Sequence, residues 1–425
     1  MRQDRSREVR PRPAIVRCIR YAAALALACV GAAAAASVAS AGNASRPVSA
    51  GSSFSLVRPI AVFGADDRAF LPAGMTALSK SIGLLYEDRS HSVCTAFCAG
   101  DDVIATAGHC LFRTEGERPL RLTGIRFRLQ PEGATVASSR IAGSAQNGEA
   151  QHIAAGSRAL RVKPPIDAVQ DWALIRLERP ICRGHALPIS RQPTSALLKL
   201  SAAQRVYQVS YHRDFGAWDL ALGRPCPIRR SFKGADWRAI EKDFTDAAHV
   251  ILHTCDTGGA SSGSPLLIDG PNGPEVIGIN VGTYLQSRVL TQRGEVVHRY
   301  KSETVANTAV GAAAFRPALE ALAHADIIST RTGMLSLQQL LASEGLYEGK
   351  IDGIYGPRLN TAVRAFERNE GRRETGLATA ALMKRLAARA AERRSTLSSR
   401  HHHPQMETGS VGSHTVSRDR ARLPR

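Results

Sequence analysis

The chain has 425 residues, room for two or three domains at about 150 residues each. Its 44% hydrophobic and 22% charged composition is that of a folded globular protein and excludes wholesale disorder. Lys and Arg total 56 against 37 Asp and Glu, and the net charge of +19 calls for anionic partners: envelope polymers, lipid headgroups or nucleic acid. Nucleic acid is the poorest of the three, because aromatics are only 5% and no nucleic-acid motif is present.

Residues 1–41 read as an export signal. Arg5, Arg7, Arg10, Arg12, Arg17 and Arg20 form a basic head, an apolar run extends from Tyr21 to about Ala36, and Ala39-Ser40-Ala41 offers small residues for cleavage before Gly42. The run is short and Ala-rich for a membrane anchor, and no later run is long and apolar enough, so no stable membrane span is expected after signal removal. An exported protein, periplasmic or secreted, follows. Residues 42–59 are Ala/Ser/Gly-rich and suit a linker or short pro-segment.

Six cysteines remain after the signal: Cys94, Cys98, Cys110, Cys182, Cys226 and Cys255. An even set in an exported chain reads as disulfides, with fifteen possible pairings. A zinc site at Cys94, Cys98 and Cys110 is the alternative, although no second close pair follows the first.

Residues 60–325 carry short apolar runs broken by Gly, Pro, Asp and Asn, such as Ser81–Tyr86, Val103–Ala107, Trp172–Leu177, Val250–His253, Pro265–Ile268 and Val276–Val281. Runs of this length, enriched in Val and Ile, predict strands, hence a mainly β domain of barrel or sandwich type. Ala314–Ala325 is expected to be its closing helix. From Leu335 the period turns helical: Leu337, Leu340 and Leu341 share one face, and Leu359, Val363 and Phe366 share another after Pro357, a first-turn proline. With Ala380–Arg394 these make a small three-helix domain at 333–390. The Ser-, His- and Arg-rich remainder, 391–425, is expected to be a basic disordered tail, and His401-His402-His403 within it defines no ligand set.

Three segments carry chemistry. In Thr106-Ala107-Gly108-His109-Cys110 an apolar strand delivers a histidine at its end. In Asp171-Trp172-Ala173-Leu174-Ile175 a carboxylate heads another strand. In Cys255-Asp256-Thr257-Gly258-Gly259-Ala260-Ser261-Ser262-Gly263-Ser264-Pro265 a Gly/Ser-rich turn enters a third. A serine hydroxyl is a poor nucleophile unless an imidazole takes its proton, and the imidazole needs a carboxylate on its other nitrogen. The turn must also aim backbone N–H groups at the oxyanion that develops.

These segments, in this order, resemble the histidine, aspartate and serine elements of the chymotrypsin-like (trypsin-fold) serine peptidases, and Ser262-Gly263-Ser264-Pro265 resembles the bacterial glutamyl-endopeptidase branch. The resemblance implies two β barrels with the site between them. It implies His109 as general base and acid, Asp171 as orienting carboxylate, Ser262 as nucleophile, and the N–H groups of Ala260 and Ser262 as oxyanion donors. It also implies disulfides Cys94–Cys110 beside the histidine and Cys226–Cys255 beside the serine, with Cys98–Cys182 as the third. The substrate would be a protein or peptide, and acyl transfer from Ser262 to water calls for no metal and no cofactor. Asp256 stands six residues before the serine, where trypsin-like members place the pocket carboxylate for Lys or Arg; a structural turn is the competing role. Asn280, in Gly278-Ile279-Asn280-Val281-Gly282, is a second pocket candidate and stands where glutamyl endopeptidases carry His, which argues against strict Glu preference. Ser261 replaces the Asp that animal digestive members pair with a new N-terminus, so no such activation switch is expected. Ala260 stands where Gly is usual. That departure sustains the alternative of a catalytically silent envelope-binding protein.

A second resemblance lies in Leu337-Gln338-Gln339-Leu340-Leu341, Asp352-Gly353-Ile354-Tyr355-Gly356-Pro357 and Ala362-Val363-Arg364-Ala365-Phe366, which are similar to the three-helix peptidoglycan-binding domain. It implies peptidoglycan or another anionic envelope polymer as partner, and Asp352 and Tyr355, presented beside a shallow groove, as wall-binding candidates. Leu359 and Glu367 depart from residues common in that family.

Overall fold

The computed structural model describes residues 61–401, apart from 113–119, 131–134, 144–149, 201–204, Ala217, 233–235, 287–288, 293–294 and 300–302. The signal at 1–41, the linker at 42–59 and the histidine run past His401 lie outside the described residues.

The first sheet has seven strands: β1 (Ile82–Glu87), β2 (Ser92–Cys98), β3 (Val103–Thr106), β4 (Ile125–Leu129), β5 (Ala137–Arg140), β6 (Ile153–Ala155) and β7 (Ala173–Arg176). They run antiparallel in the order β5-β4-β1-β2-β3-β7-β6. A bridge between Ile141 and Leu177 brings the end of β5 against the end of β7, so the sheet curls on itself. β4 shows the alternation a one-sided strand requires: Ile125, Phe127 and Leu129 are buried, while Arg126 and Arg128 between them are only partly buried. β3 is buried throughout and cannot alternate.

The second sheet contains β8 (Val206–Tyr211), β9 (Leu220–Leu222), β10 (Ile228–Arg229), β11 (Val250–His253), β12 (Pro265–Gly270), β13 (Gly273–Gln286) and β14 (Glu303–Gly311). A two-residue edge strand, Ala69–Phe70, precedes β9 in the order edge-β9-β8-β12-β13-β14-β11-β10. The Cys226 amide donates to the Val206 carbonyl, which folds the β10 end back toward β8. The fold is therefore mainly β: two curled antiparallel half-barrels followed by helices.

The helices that follow the second half-barrel are α1 (Ala312–Ala323), α2 (Arg331–Ser343), α3 (Pro357–Asn369) and α4 (Ala380–His401). Thr330 caps α2 through its hydroxyl, and Pro357 opens α3, as its fixed φ favours. One apolar core runs from the first sheet (Phe97, Ile104, Leu174) through Phe315 and Leu322 of α1 to Leu337 and Phe366 of the last helices. The expected disordered tail is corrected at its start, because α4 continues to His401. Ala387–Arg394 are strong helix formers, and Arg389 pairs with Glu344 and Glu370 while Arg393 pairs with Glu344, so the helix is anchored beyond residue 390.

Candidate active site

Register brings the histidine and aspartate together. Thr106 of β3 pairs with Ala173 of β7 in antiparallel sense. The chain leaving β3 therefore lies beside the chain entering β7, and His109 meets Asp171. The Asp171 carboxylate grips the histidine at two points: Oδ1 accepts the His109 amide at 2.8 Å and Oδ2 meets Nδ1 at 2.8 Å. An ionised carboxylate only accepts, so Nδ1 is the donor in this pair and Nε2 is left free to accept. Disulfide Cys94–Cys110 ties the turn Gly108–Cys110 to β2.

Ser262 lies on the turn between β11 and β12. Its carbonyl accepts the Thr95 amide at 2.9 Å, and the Thr95 hydroxyl donates to the Ala260 carbonyl at 2.9 Å, so β2 of the first half-barrel holds the serine turn of the second. Gly263 has φ +86, and a Cβ there would collide with Thr106 Oγ1 and the Thr95 carbonyl. Ala260 has φ +84, the left-handed region that costs a side-chain-bearing residue about 1–2 kcal/mol. Among the described residues, the amides of Ala260 and Ser262 donate to no protein acceptor. His109, Asp171 and Ser262 line one cavity of about 310 Å³, together with Thr257, Asn280 and Tyr284. The serine hydroxyl makes no hydrogen bond among the described residues; such contacts often tighten only when substrate is bound.

The six cysteines form Cys94–Cys110, Cys98–Cys182 and Cys226–Cys255. The sulfurs that a zinc site at Cys94, Cys98 and Cys110 would need are thereby used.

Asp256 corrects one expectation. Its carboxylate does not line the cavity; Oδ1 accepts the Phe63 amide at 2.7 Å and Oδ2 the Asp67 amide at 3.1 Å. It fastens the N-terminal segment, which also bridges Ala61 to Thr257. Asn280 does reach the cavity wall, but its side chain bonds to His253 and Ser261. Burial holds the His253 imidazole down to about 4, so it is neutral.

Tyr355 is a second correction. It is not exposed beside a groove: it is 3% accessible, donates to the Gly376 carbonyl and accepts from Asn360 Nδ2 at 2.8 Å. An aromatic ring in a loop motif carries no sign of which way it faces, and here the apolar core claims it. Ile351 and Ile354 are the residues of that turn that face solvent. Asp352 stays half-buried; its Oδ1 accepts Gln338 Nε2 at 3.1 Å and the Ile354 amide at 2.9 Å, bonds that hold its carboxyl below the usual range. Gly353, at φ +76, makes the turn possible, whereas Gly356 is in an extended conformation open to other residues. Glu367 is buried and accepts the amides of Thr375 and Gly376, while burial raises its carboxyl above the ordinary range.

Arg158 had no sequence signal. Its guanidinium lies 4.9 Å from the Phe112 ring centre and 5.7 Å from that of Tyr355, joining the histidine-bearing turn to the helical domain.

Residues 330–386 match the family model of a putative peptidoglycan binding domain. No curated protein matches the chain. The matched domain supports peptidoglycan as partner and targeting to the cell wall, and with the three disulfides it is consistent with an extracytoplasmic location. Among the described residues no helix is long and apolar enough to cross a membrane.

Proposed function

We propose that the protein is an exported serine endopeptidase of the chymotrypsin-like type, held at the cell wall by its C-terminal domain. The observation that carries this reading is the two-point grip of Asp171 on His109, in one cavity lined also by Ser262 and Ala260, whose backbone amides donate to no protein acceptor among the described residues. Ser262 Oγ attacks the substrate carbonyl while His109 Nε2 takes its proton. Asp171 stabilises the imidazolium, and the Ala260 and Ser262 N–H groups receive the oxyanion. The proton then passes to the leaving amine, and water, activated by the same imidazole, releases the acyl group and restores Ser262. The wall domain raises the enzyme's concentration at its substrates.

Labelling of the disulfide-bonded protein with a fluorophosphonate probe tests this. Wild type is expected to label, and Ser262→Ala and His109→Ala are not. An unlabelled wild type, before and after limited proteolysis, would leave a silent envelope-binding protein as the better account.

A further inference from the structure

Both amides assigned to the oxyanion belong to peptide units whose carbonyls are held from behind. In a trans peptide the N–H points opposite to the C=O, so fixing one aims the other. The Gly259 carbonyl, in the same peptide as the Ala260 N–H, accepts the Arg213 amide at 2.7 Å. The Ser261 carbonyl, in the same peptide as the Ser262 N–H, accepts three bonds: Ser264 N at 3.1 Å, Ser264 Oγ at 2.7 Å and Asn280 Nδ2 at 3.1 Å.

The third of these is set by a buried relay. The Cys255 amide donates to His253 Nδ1 at 3.3 Å, which leaves the ring proton on Nε2. That nitrogen meets Asn280 Oδ1 at 3.2 Å, so the amide oxygen faces His253 and the NH2 faces Ser261. Gln208 Nε2 likewise donates to Ser264 Oγ at 2.5 Å and turns that hydroxyl's proton toward the same carbonyl. His253, Asn280, Gln208 and Ser264 are all at most 2% accessible, so none of these bonds competes with bulk water.

We infer that Asn280, oriented by His253, is a positioning residue that aims the Ser262 amide at the oxyanion, rather than a determinant of the side chain bound before the cut. The inference rests on the serine peptidase reading. Asn280 touches no reacting atom in this role; it acts through the Ser261–Ser262 peptide. Asn280→Asp keeps shape but replaces the donor with a carboxylate that repels the Ser261 carbonyl. Asn280→Ala removes the donor without that repulsion.

The test uses the full disulfide-bonded chain and a dialkyl fluorophosphonate, whose phosphoryl oxygen occupies the oxyanion position after reaction with Ser262. Labelling is expected to slow about 10- to 100-fold in both variants, short of the roughly 10²–10³-fold loss for deleting a donor outright. The ³¹P resonance of the adduct, which senses hydrogen bonds to the phosphoryl oxygen, should shift relative to wild type. Should the Asn280 variants not fold, Ser264→Ala removes a different donor from the same carbonyl and should move rate and resonance in the same direction. Folded Asn280 variants with wild-type labelling rate and ³¹P shift would overturn the inference, and so would an effect confined to preference among peptides varied at the residue before the cut. A wild type that does not label fails earlier and refutes the peptidase reading itself, and this inference with it.

Discussion

Ala260 is the residue at which local preference and site geometry conflict. Its φ of +84 lies where glycine is at ease, and the turn is held there by the bonds to the carbonyls of Gly259, Ala260 and Ser261. The strain is therefore absorbed by the surrounding structure and does not displace the two amides. Ala260→Gly is expected to stabilise the protein by about 1 kcal/mol while leaving fluorophosphonate labelling intact, read from the denaturant midpoint. The buried imidazoles make a second statement at this scale. His152, His212 and His253 are each held by burial at about 4, well below their ordinary 6.5. With a depressed folded value, the unfolded chain binds the extra protons between pH 6.5 and 4. Stability is then complete above pH 6.5 and lost as pH falls through that window, by up to about 1.4 kcal/mol per pH unit for each imidazole. Urea titrations at pH 7.5, 5.5 and 4.5 should show this decline; an unchanged midpoint would contradict the buried neutral state.

At the scale of elements, five of the six expected strand runs are legible to within two residues, while Val276–Val281 is only the middle of β13 (Gly273–Gln286). Val250–His253 coincides with β11, and the runs from Ser81, Val103, Trp172 and Pro265 each fall within two residues of a strand end. Their pairing was not legible. The β3–β7 register that joins His109 to Asp171 links positions 62 residues apart, and nothing local to either segment specifies it. The disulfides reinforce that arrangement. Cys94–Cys110 closes a separation of 16 residues around the histidine turn, and its removal by Cys94→Ala with Cys110→Ala should cost about 3 kcal/mol. Thermal unfolding of the double variant beside wild type measures this, and an undiminished midpoint would show that the hydrogen bonds alone hold the turn. The helical domain shows the opposite failure. Its three helices and their apolar faces are readable from period, but a loop position has no period from which to infer a direction, and Tyr355 turns into the core instead of facing a groove.

At the scale of the molecule, the helical domain is packed onto the first half-barrel. Arg364 Nη2 donates to the Ala155 carbonyl of β6 at 2.6 Å, and Arg176 of β7 donates to the Leu322 and Ala325 carbonyls at the end of α1. Arg158 stacks between Phe112 and Tyr355. Arg158→Ala should lower stability by about 1–2 kcal/mol through lost stacking and packing, in a single cooperative transition shared by both parts. Two separate transitions, with the variant leaving the β domain unaffected, would refute that coupling. The sequence by itself determined the mainly β class, the helical segments and the residue types able to activate a serine, because these depend on local period, turn chemistry and the intrinsic reactivity of side chains. Only the tertiary structure decided that Asp256 fastens the N-terminal segment, that Tyr355 is core and that Asn280 grips the serine turn. Each of those roles is set by partners brought near by chain folding, and burial makes a hydrogen bond to such a partner worth more than any preference the residue carries alone.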